Sequence, residues 1–496
     1  GRICNRRCED ACTRGTVDEA VAIDEVKRFI AQQDLDAETR FIPEKVIPKV
    51  DGEFSEKIAI IGGGPAGMSC AYYLAEKGYR PTVFEKESRP GGMLMNAIPS
   101  FRLEKDVVEA EIDVLRALGV EFRCGVEVGK DITIAQLREE GYKGFYVAVG
   151  LQHGGALAVP GGDVENVISG IDFIRGVHLR DEKTLKGRVV VIGGGNIAAD
   201  VARTAVRCGA ESVDLYCLES YDDMPMGPED RGECERDGIT IHAGWGQTEI
   251  VTENGHAAGI RFRKCLRVKN DQGRFAPEFD DNDTCQAQCA AVLYCIGQKV
   301  DWRQLLTGTA VTFNPNGTAQ VDPVTYQTAE PGIFAGGDAV TGQKFAIDAI
   351  AAGKEGAISL HRFVQKATLT IGRNRRQFVE LDKENALIPV GFDNTPRQQI
   401  GYNEALRRTF RDERIAFTAE QVQKETARCL SCGASVVDPN KCIGCGVCTT
   451  KCAFDAIHLH RERPECTHMI PAEDKMKAIL PYMVKREIKI RKAGKK

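Results

Sequence analysis

The run Lys57-Ile58-Ala59-Ile60-Ile61-Gly62-Gly63-Gly64-Pro65-Ala66-Gly67 decides the fold. A short apolar strand leads straight into glycines spaced G-x-G-x-x-G. In that order Gly62 makes a tight turn, Gly64 lets the backbone approach a pyrophosphate, and Gly67 lets the next helix pack close to the strand. Pro65 and Ala66 lie in that turn, and the N-terminus of the helix that follows offers free N–H groups and a positive dipole end to an anion. The pattern predicts a helix over Met68–Lys77, ending at Gly78, and a strand over Pro81–Phe84 that ends at Glu85. There a carboxylate can accept hydrogen bonds from a ribose diol. Strand, glycines, helix, strand and acid in register make a dinucleotide-binding βαβ unit.

The signature recurs about 130 residues later. Strand Arg188–Ile192 leads into Gly193, Gly195 and Ala198, with Asn196, Ile197 and Asp200 in the same turn and helix start; alanine is allowed in the third place. The helix should run to Cys208, with Gly209 just past its end, and the next strand over Ser212–Cys217. Glu219, beyond that strand, would bind a ribose 2′-hydroxyl and repel a 2′-phosphate, which favours NADH over NADPH. Arg203 and Arg207 on the adjoining helix could meet a phosphate and pull the other way. The expected fold class is α/β, with two nested Rossmann-like dinucleotide-binding domains and small helical or ferredoxin-like iron–sulfur segments at both ends.

Composition narrows the function. Of 496 residues, 43% are hydrophobic and 28% charged, which fits a globular chain and excludes a disordered one. A net charge of −5 gives no reason to expect nucleic-acid binding. No apolar run reaches the ~20 residues of a membrane span.

Nine of the 19 cysteines crowd into two stretches near the ends. Cys442, Cys445, Cys448 and Cys452 read C-x2-C-x2-C-x3-C, the ferredoxin run for a [4Fe–4S] cluster; zinc sites rarely space four thiolates so evenly. Ala453 stands where proline is usual. Cys429 and Cys432 form a separate C-x2-C that Cys452 could join in a second cluster, and Cys466 could complete either set. Cys4, Cys8 and Cys12 form a third group. Three thiolates do not close a [4Fe–4S] site, so a fourth ligand is expected upstream of Gly1 or from a nearby side chain. A dithiol mechanism is disfavoured: no C-x-x-C lies beside either glycine turn, and Cys285 and Cys289 are spaced C-x3-C in a polar stretch.

Gly62–Gly67 with Glu85, Gly91-Gly92-Met93-Leu94 with Ile98-Pro99-Ser100-Phe101-Arg102-Leu103, Gly193–Asp200, and Gly336-Gly337-Asp338 together resemble the small subunit of glutamate synthase. The same architecture is shared by the FAD/NADPH portion of dihydropyrimidine dehydrogenase and the flavin subunit of NADH-dependent ferredoxin:NADP oxidoreductase. The resemblance covers most of residues 1–360. It implies FAD on the first unit and NAD(P)H on the inserted second. It implies that Asp338 contacts the ribityl chain or phosphate of FAD, and that Ile98 and Pro99 lie near the isoalloxazine. Lys86, Gly92, Met93, Gly150, Gly297 and Gly337 are counted with them as cofactor-binding. Some relatives place a Glu or Gln cluster ligand where Lys27 stands here; a charged lysine cannot ligate, and Asp24 and Glu25 are the neighbouring alternatives.

The expected domains are an N-terminal cysteine-bearing segment (1–50), an FAD-binding domain in two parts (51–160 and 301–365), an NAD(P)-binding domain (161–300), a linker (366–425), a ferredoxin-like domain (426–470) and a basic tail (471–496). The tail reads as a solvated terminus, with docking to an acidic partner subunit as the secondary reading. The expected activity converts hydride pairs from NAD(P)H, through FAD, into single electrons on [4Fe–4S] clusters bound for ferredoxin or partner subunits of a redox complex. No general acid–base residue is needed, since hydride transfer is a positioning task. An electron-relay subunit with an inactive nicotinamide site, and a bifurcating flavin site, are the alternatives. Oxygen-labile clusters point to the cytoplasm of an anaerobe.

Overall fold

The structure is a computed structural model that describes residues 1–48, 52–373, 382–383, 388, 390–432, 437, 441–452, 457–459 and 471–493. Two units separate: residues 1–374 with 381–432, and residues 375–380 with 433–496.

The first unit opens with α1 (Arg7–Asp10) and α2 (Ile23–Asp36). The helix α2 starts at Ile23, past Asp18. The Asp18 carboxylate is committed to Arg14, at 2.6 Å, and to Arg428, at 3.1 Å, and does not cap a helix. Then follow β1 (Lys57–Ile61), α3 (Pro65–Glu76), β2 (Thr82–Glu85), α4 (Met93–Asn96), α5 (Lys105–Ala117), β3 (Glu121–Cys124), α6 (Ile134–Glu139) and β4 (Tyr142–Val147). The chain leaves through β5 (His153–Gly154) into a second domain. There it forms β6 (Val167–Ser169), α7 (Gly170–Leu179), β7 (Arg188–Ile192), α8 (Asn196–Arg207), β8 (Ser212–Cys217), α9 (Pro228–Arg236) and β9 (Thr240–Ala243). After β10 (Trp245–Glu253), β11 (His256–Lys269), β12 (Phe275–Gln288) and β13 (Ala291–Tyr294), it returns through β14 (Gln298–Lys299) to β15 (Ile333–Ala335), α10 (Asp338–Thr341) and α11 (Ala346–Val364).

Two five-stranded parallel sheets result, ordered β15-β4-β1-β2-β3 and β6-β13-β7-β8-β9. The second is an insertion into the first, and the strands that enter and leave it, β5 and β14, pair antiparallel. Parallel sheets covered on both faces need apolar strands throughout. Accordingly Ile58, Ala59 and Ile60, and Val189, Val190 and Val191, are fully buried. Burying one such Val or Ile side chain contributes about 1.5–3 kcal/mol. An antiparallel sheet, β10-β11-β12, flanks the second domain.

Part of the stretch read as linker is structured. Gly401–Tyr402 pairs with Arg414–Ile415 as β16 and β17, and α12 (Ala419–Ala427) follows. Asp412, Glu413, Phe417, Glu425 and Arg428 are buried. Most of these charges meet partners in the N-terminal segment. Arg28 reaches Asp412 at 3.0 Å, and Arg428 donates to the Glu19 carbonyl at 2.7 Å.

In the second unit, α13 (Val447–Lys451) begins inside the C-x2-C-x2-C-x3-C run, and α14 (Lys475–Ala493) carries the basic tail, exposed along its length. Among the described residues no helix is long and apolar enough to cross a membrane.

Candidate functional site

Both glycine loops open onto one cavity of about 850 Å³ at the junction of the two parallel-sheet domains. From the first loop Gly62, Gly64, Pro65 and Ala66 line it, with Glu85 and Lys86 from the end of β2. Gly92, Met93 and Ile98 line it from the segment after β2, and Gly150, Gly297, Gly337 and Asp338 from the domain crossovers and the start of α10. From the second loop come Gly195, Asn196, Ile197, Ala198 and Asp200.

Four expected residues are not among those that line the cavity. Pro99 is buried next to Ile98. Gly67 lies where a Cβ would intrude on the Gly62 carbonyl oxygen, so its role is helix-on-strand packing, as the spacing predicts. Gly193, with φ +139°, makes the turn into α8. Glu219 holds its Oε2 2.7 Å from where Gly194 would carry a Cβ. The two loops are built alike, for Glu85 Oε2 accepts a 2.7 Å hydrogen bond from the Gly63 N–H. Burial raises the Glu85 pKa, and the N–H groups of Glu87 and Gly63 oppose that rise.

Asp338 is pushed up to about 6 by burial, with repulsion from Asp348 adding to the shift and the Lys344 N–H opposing it. It lies at the start of α10, whose preceding Gly337 has φ +70°.

Arg203 and Arg207 are not among the residues that line the cavity. Arg203 Nε bonds Asp237 at 2.8 Å and its Nη1 bonds Glu233; Arg207 Nη1 bonds Asp237 at 2.6 Å. Both guanidinium groups also lie over the Phe101 ring, at 4.8 and 4.0 Å. The sequence placed them on the right helix, but its period does not tell which face meets α9.

Three residues were missed. Asn96 and Ser169 are buried on the cavity wall, and their side-chain oxygens have no hydrogen-bond partner among the described residues. Unpaired buried polar atoms fit a wall completed by a polar ligand. Lys105 donates to the carbonyls of Leu94, at 2.9 Å, and Ile98, and burial pushes it down to about 7. No local pattern marks these three.

A single cysteine, Cys295, lines the cavity, and burial raises its thiol pKa. Among the described residues no second cysteine lines the cavity beside it. Cys429 and Cys432, just after α12, are exposed, as are Cys442, Cys445 and Cys448. Gly444 and Gly446, at φ +68° and +76°, let the chain curl between these thiols. At the N-terminus Lys27 Nζ donates to Cys4 Sγ at 3.4 Å, Cys8 is exposed, and Cys12 is half-buried. Asp24 and Glu25 face Arg6, at 3.5 and 3.3 Å. Among the described residues no three His, Cys, Asp or Glu side chains are drawn to metal-binding distance. The four-thiolate set of residues 442–452 nonetheless has the donor chemistry of a [4Fe–4S] site. Cys466 lies outside the described residues.

Comparison with known proteins bears on all of this. Residues 56–353 match the family model described as pyridine nucleotide-disulphide oxidoreductase, and residues 435–458 match a 4Fe-4S binding domain. The NADP(+)-dependent formate dehydrogenase subunit beta of Moorella thermoacetica is 34% identical over 461 residues, 87% of this chain and 64% of that protein. The NAD-dependent dihydropyrimidine dehydrogenase subunit PreT of Escherichia coli O157:H7 is 30% identical, over 74% of this chain and 81% of that protein. The NADPH-Fe(3+) oxidoreductase subunit beta of Geobacter sulfurreducens is 28% identical, over 87% and 69%. The chain thus spans less than two thirds of the Moorella relative's length. Mycobacterium tuberculosis FprA in complex with NADPH shares the fold, with a TM-score of 0.54 at 16% identity, over 63% of this chain and 85% of that one. The cofactors that go with these matches are FAD, NAD(P)H and a [4Fe–4S] cluster. By its glycine loops, its two nested parallel sheets and its matches, the chain belongs to the pyridine nucleotide-disulphide oxidoreductase family, as an FAD- and NAD(P)H-dependent oxidoreductase with a 4Fe-4S ferredoxin motif.

Proposed function

We propose that the chain is the flavin subunit of a multi-subunit redox complex: NADH delivers a hydride in the cavity, and electrons leave singly through [4Fe–4S] clusters to ferredoxin or a partner subunit in a reducing cytoplasm. The carrying observation is that both glycine loops open onto one cavity, in a chain that also bears a four-thiolate run. When bound, FAD accepts electrons in pairs and releases them singly. The rest of the task falls to the protein. The loop Gly62–Gly67 and the N-terminus of α3 take the FAD pyrophosphate, Glu85 its ribose, and Asp338 its ribityl chain or phosphate. The loop Gly193–Ala198 and α8 take the pyridine nucleotide in the same way, with Glu219 at its ribose. Ile98, Ile171 and Ile174 on the cavity wall exclude water. The names of the three relatives compared above, each a subunit, support the partnered reading. The domain boundaries expected from the sequence remain part of this proposal, with the cluster ligands Cys4, Cys8, Cys12, Cys429, Cys432, Cys442, Cys445, Cys448 and Cys452.

Glu219 carries the preference for NADH. No arginine of α8 is left to meet a 2′-phosphate, since Arg203 and Arg207 are paired with acids. The test is anaerobic purification with flavin, iron and sulfide quantified, followed by separate NADH and NADPH titrations. NADH should bleach the flavin band; a flavin that neither nucleotide reduces refutes the proposal.

A further inference from the structure

The second domain is joined to the first by more than its two connecting strands. The segment Ile98–Leu103, which belongs to the first domain, is gripped by the second. Arg102 Nη1 lies 2.8 Å from Asp200 Oδ1 on α8, and Nη2 lies 3.4 Å from Asp230 Oδ1 on α9. Phe101, buried beside it, packs under the guanidinium groups of Arg203 and Arg207 from α8. The carbonyl of Arg102 accepts from Arg414 Nη2 at 3.0 Å.

The two ends of this grip matter. Ile98 lines the cavity on the first domain's side, and Lys105 holds its carbonyl. Asp200 lies about one helical turn into α8, whose start is the second glycine loop. Arg102 therefore ties the flavin-side wall to the helix that begins at the pyridine-nucleotide loop. The joint is ionic and largely buried. Asp200 is 8% exposed, and breaking such a pair strands a charge away from water. Substituting Arg102 alone would therefore leave the Asp200 carboxylate buried without its partner in the docked arrangement.

We propose that Arg102 is a positioning residue for hydride transfer: through Asp200 and Asp230 it keeps the second domain docked on the first, so that the nucleotide binds and reacts without a swing of one domain on the other. This rests on the function proposed above. Misplacing reacting groups by about 1 Å can cost on the order of 10²-fold in rate.

The test uses the full chain, purified without air and loaded with FAD and clusters, as wild type, Arg102→Met, Arg102→Lys and Asp230→Asn. Three measurements are made: the single-turnover rate of flavin reduction by NADH, the Kd for NAD+ by calorimetry, and amide hydrogen exchange without nucleotide. In Arg102→Met the rate should fall on the order of 10²-fold with the Kd for NAD+ unchanged. Exchange should rise in both 98–103 and 196–207. Arg102→Lys should recover part of the rate, and Asp230→Asn, which loses one arm, should show the same pattern weakly. If Arg102→Met does not hold FAD, Asp230→Asn and the wild type decide: X-ray scattering of the wild type with and without NAD+ should superimpose. An unchanged rate in the FAD-loaded variant, a rate and affinity that fall together, or a scattering change on adding NAD+ overturns the proposal. If wild-type flavin is not reduced by either nucleotide, the functional proposal fails. Exchange in the nucleotide-free variants then decides the docking role, and unchanged exchange in both segments overturns it.

Discussion

Replacing Glu219 with Gln should invert the choice of nucleotide. The Glu219 carboxylate sits over the second glycine loop, with Oε2 2.7 Å from a Cβ position on Gly194, and its backbone is held by a 2.8 Å bond from the Gly244 N–H. A ribose bound at that loop puts its 2′ substituent within about 5 Å of a carboxylate placed like this. A 2′-phosphate carries roughly −1.5 to −2 charges. At 5 Å and water's dielectric constant of about 80, its repulsion from one carboxylate is about 1.5 kcal/mol, and it grows as solvent is excluded. In Glu219→Gln that term vanishes, so kcat/KM for NADPH should rise about tenfold or more. NADH exchanges a charge-assisted hydrogen bond worth about 1.5–3 kcal/mol for a neutral one worth about 0.5–1.5 kcal/mol, so its kcat/KM should fall about 5- to 10-fold. The ratio of the two should therefore shift by roughly 10². The assay is steady-state reduction of an artificial acceptor by each nucleotide, on protein with matched flavin content. A variant that keeps FAD and stability but leaves the NADH/NADPH ratio unmoved refutes the placement of Glu219 at the ribose.

Three further outcomes are expected. Gly67→Ala should lower thermal stability even without ligands, by about 1–3 kcal/mol or more, because its Cβ would press on the Gly62 backbone; Gly195→Ala meets nothing within 4 Å, so it should leave the melting temperature alone and weaken only NAD+ binding, as calorimetry will tell. Asp338, raised from 3.8 to about 6, binds a proton more readily folded than unfolded, so its contribution to the stability of the FAD-free chain falls as pH rises from 3.8 to about 6; the wild-type minus Asp338→Asn difference in melting temperature should decline over that window and be flat above it. Cys445→Ser should cost the cluster of residues 442–452, seen as lost iron, sulfide and brown absorbance, while NADH still bleaches the flavin; iron content equal to wild type counts against that ligand.

Sequence alone determined what is local. Glycine turns, strand ends and the acids after β2 and β8 follow from backbone geometry within some 30 residues, so β7 and β8 fall on Arg188–Ile192 and Ser212–Cys217, as the sequence predicts. The thiolate spacing is likewise a property of one loop. Tertiary structure decided what depends on residues far apart meeting. It paired Arg203 and Arg207, candidates for meeting a phosphate, with Asp237, placed residues 412–428 against the N-terminal segment, and set Asn96 and Ser169 on the same wall. A charge on a helix looks the same in sequence whether it faces water, a phosphate or another charge. Only the packing of the surrounding elements settles which, because the cost of burying that charge depends on the partner brought to it.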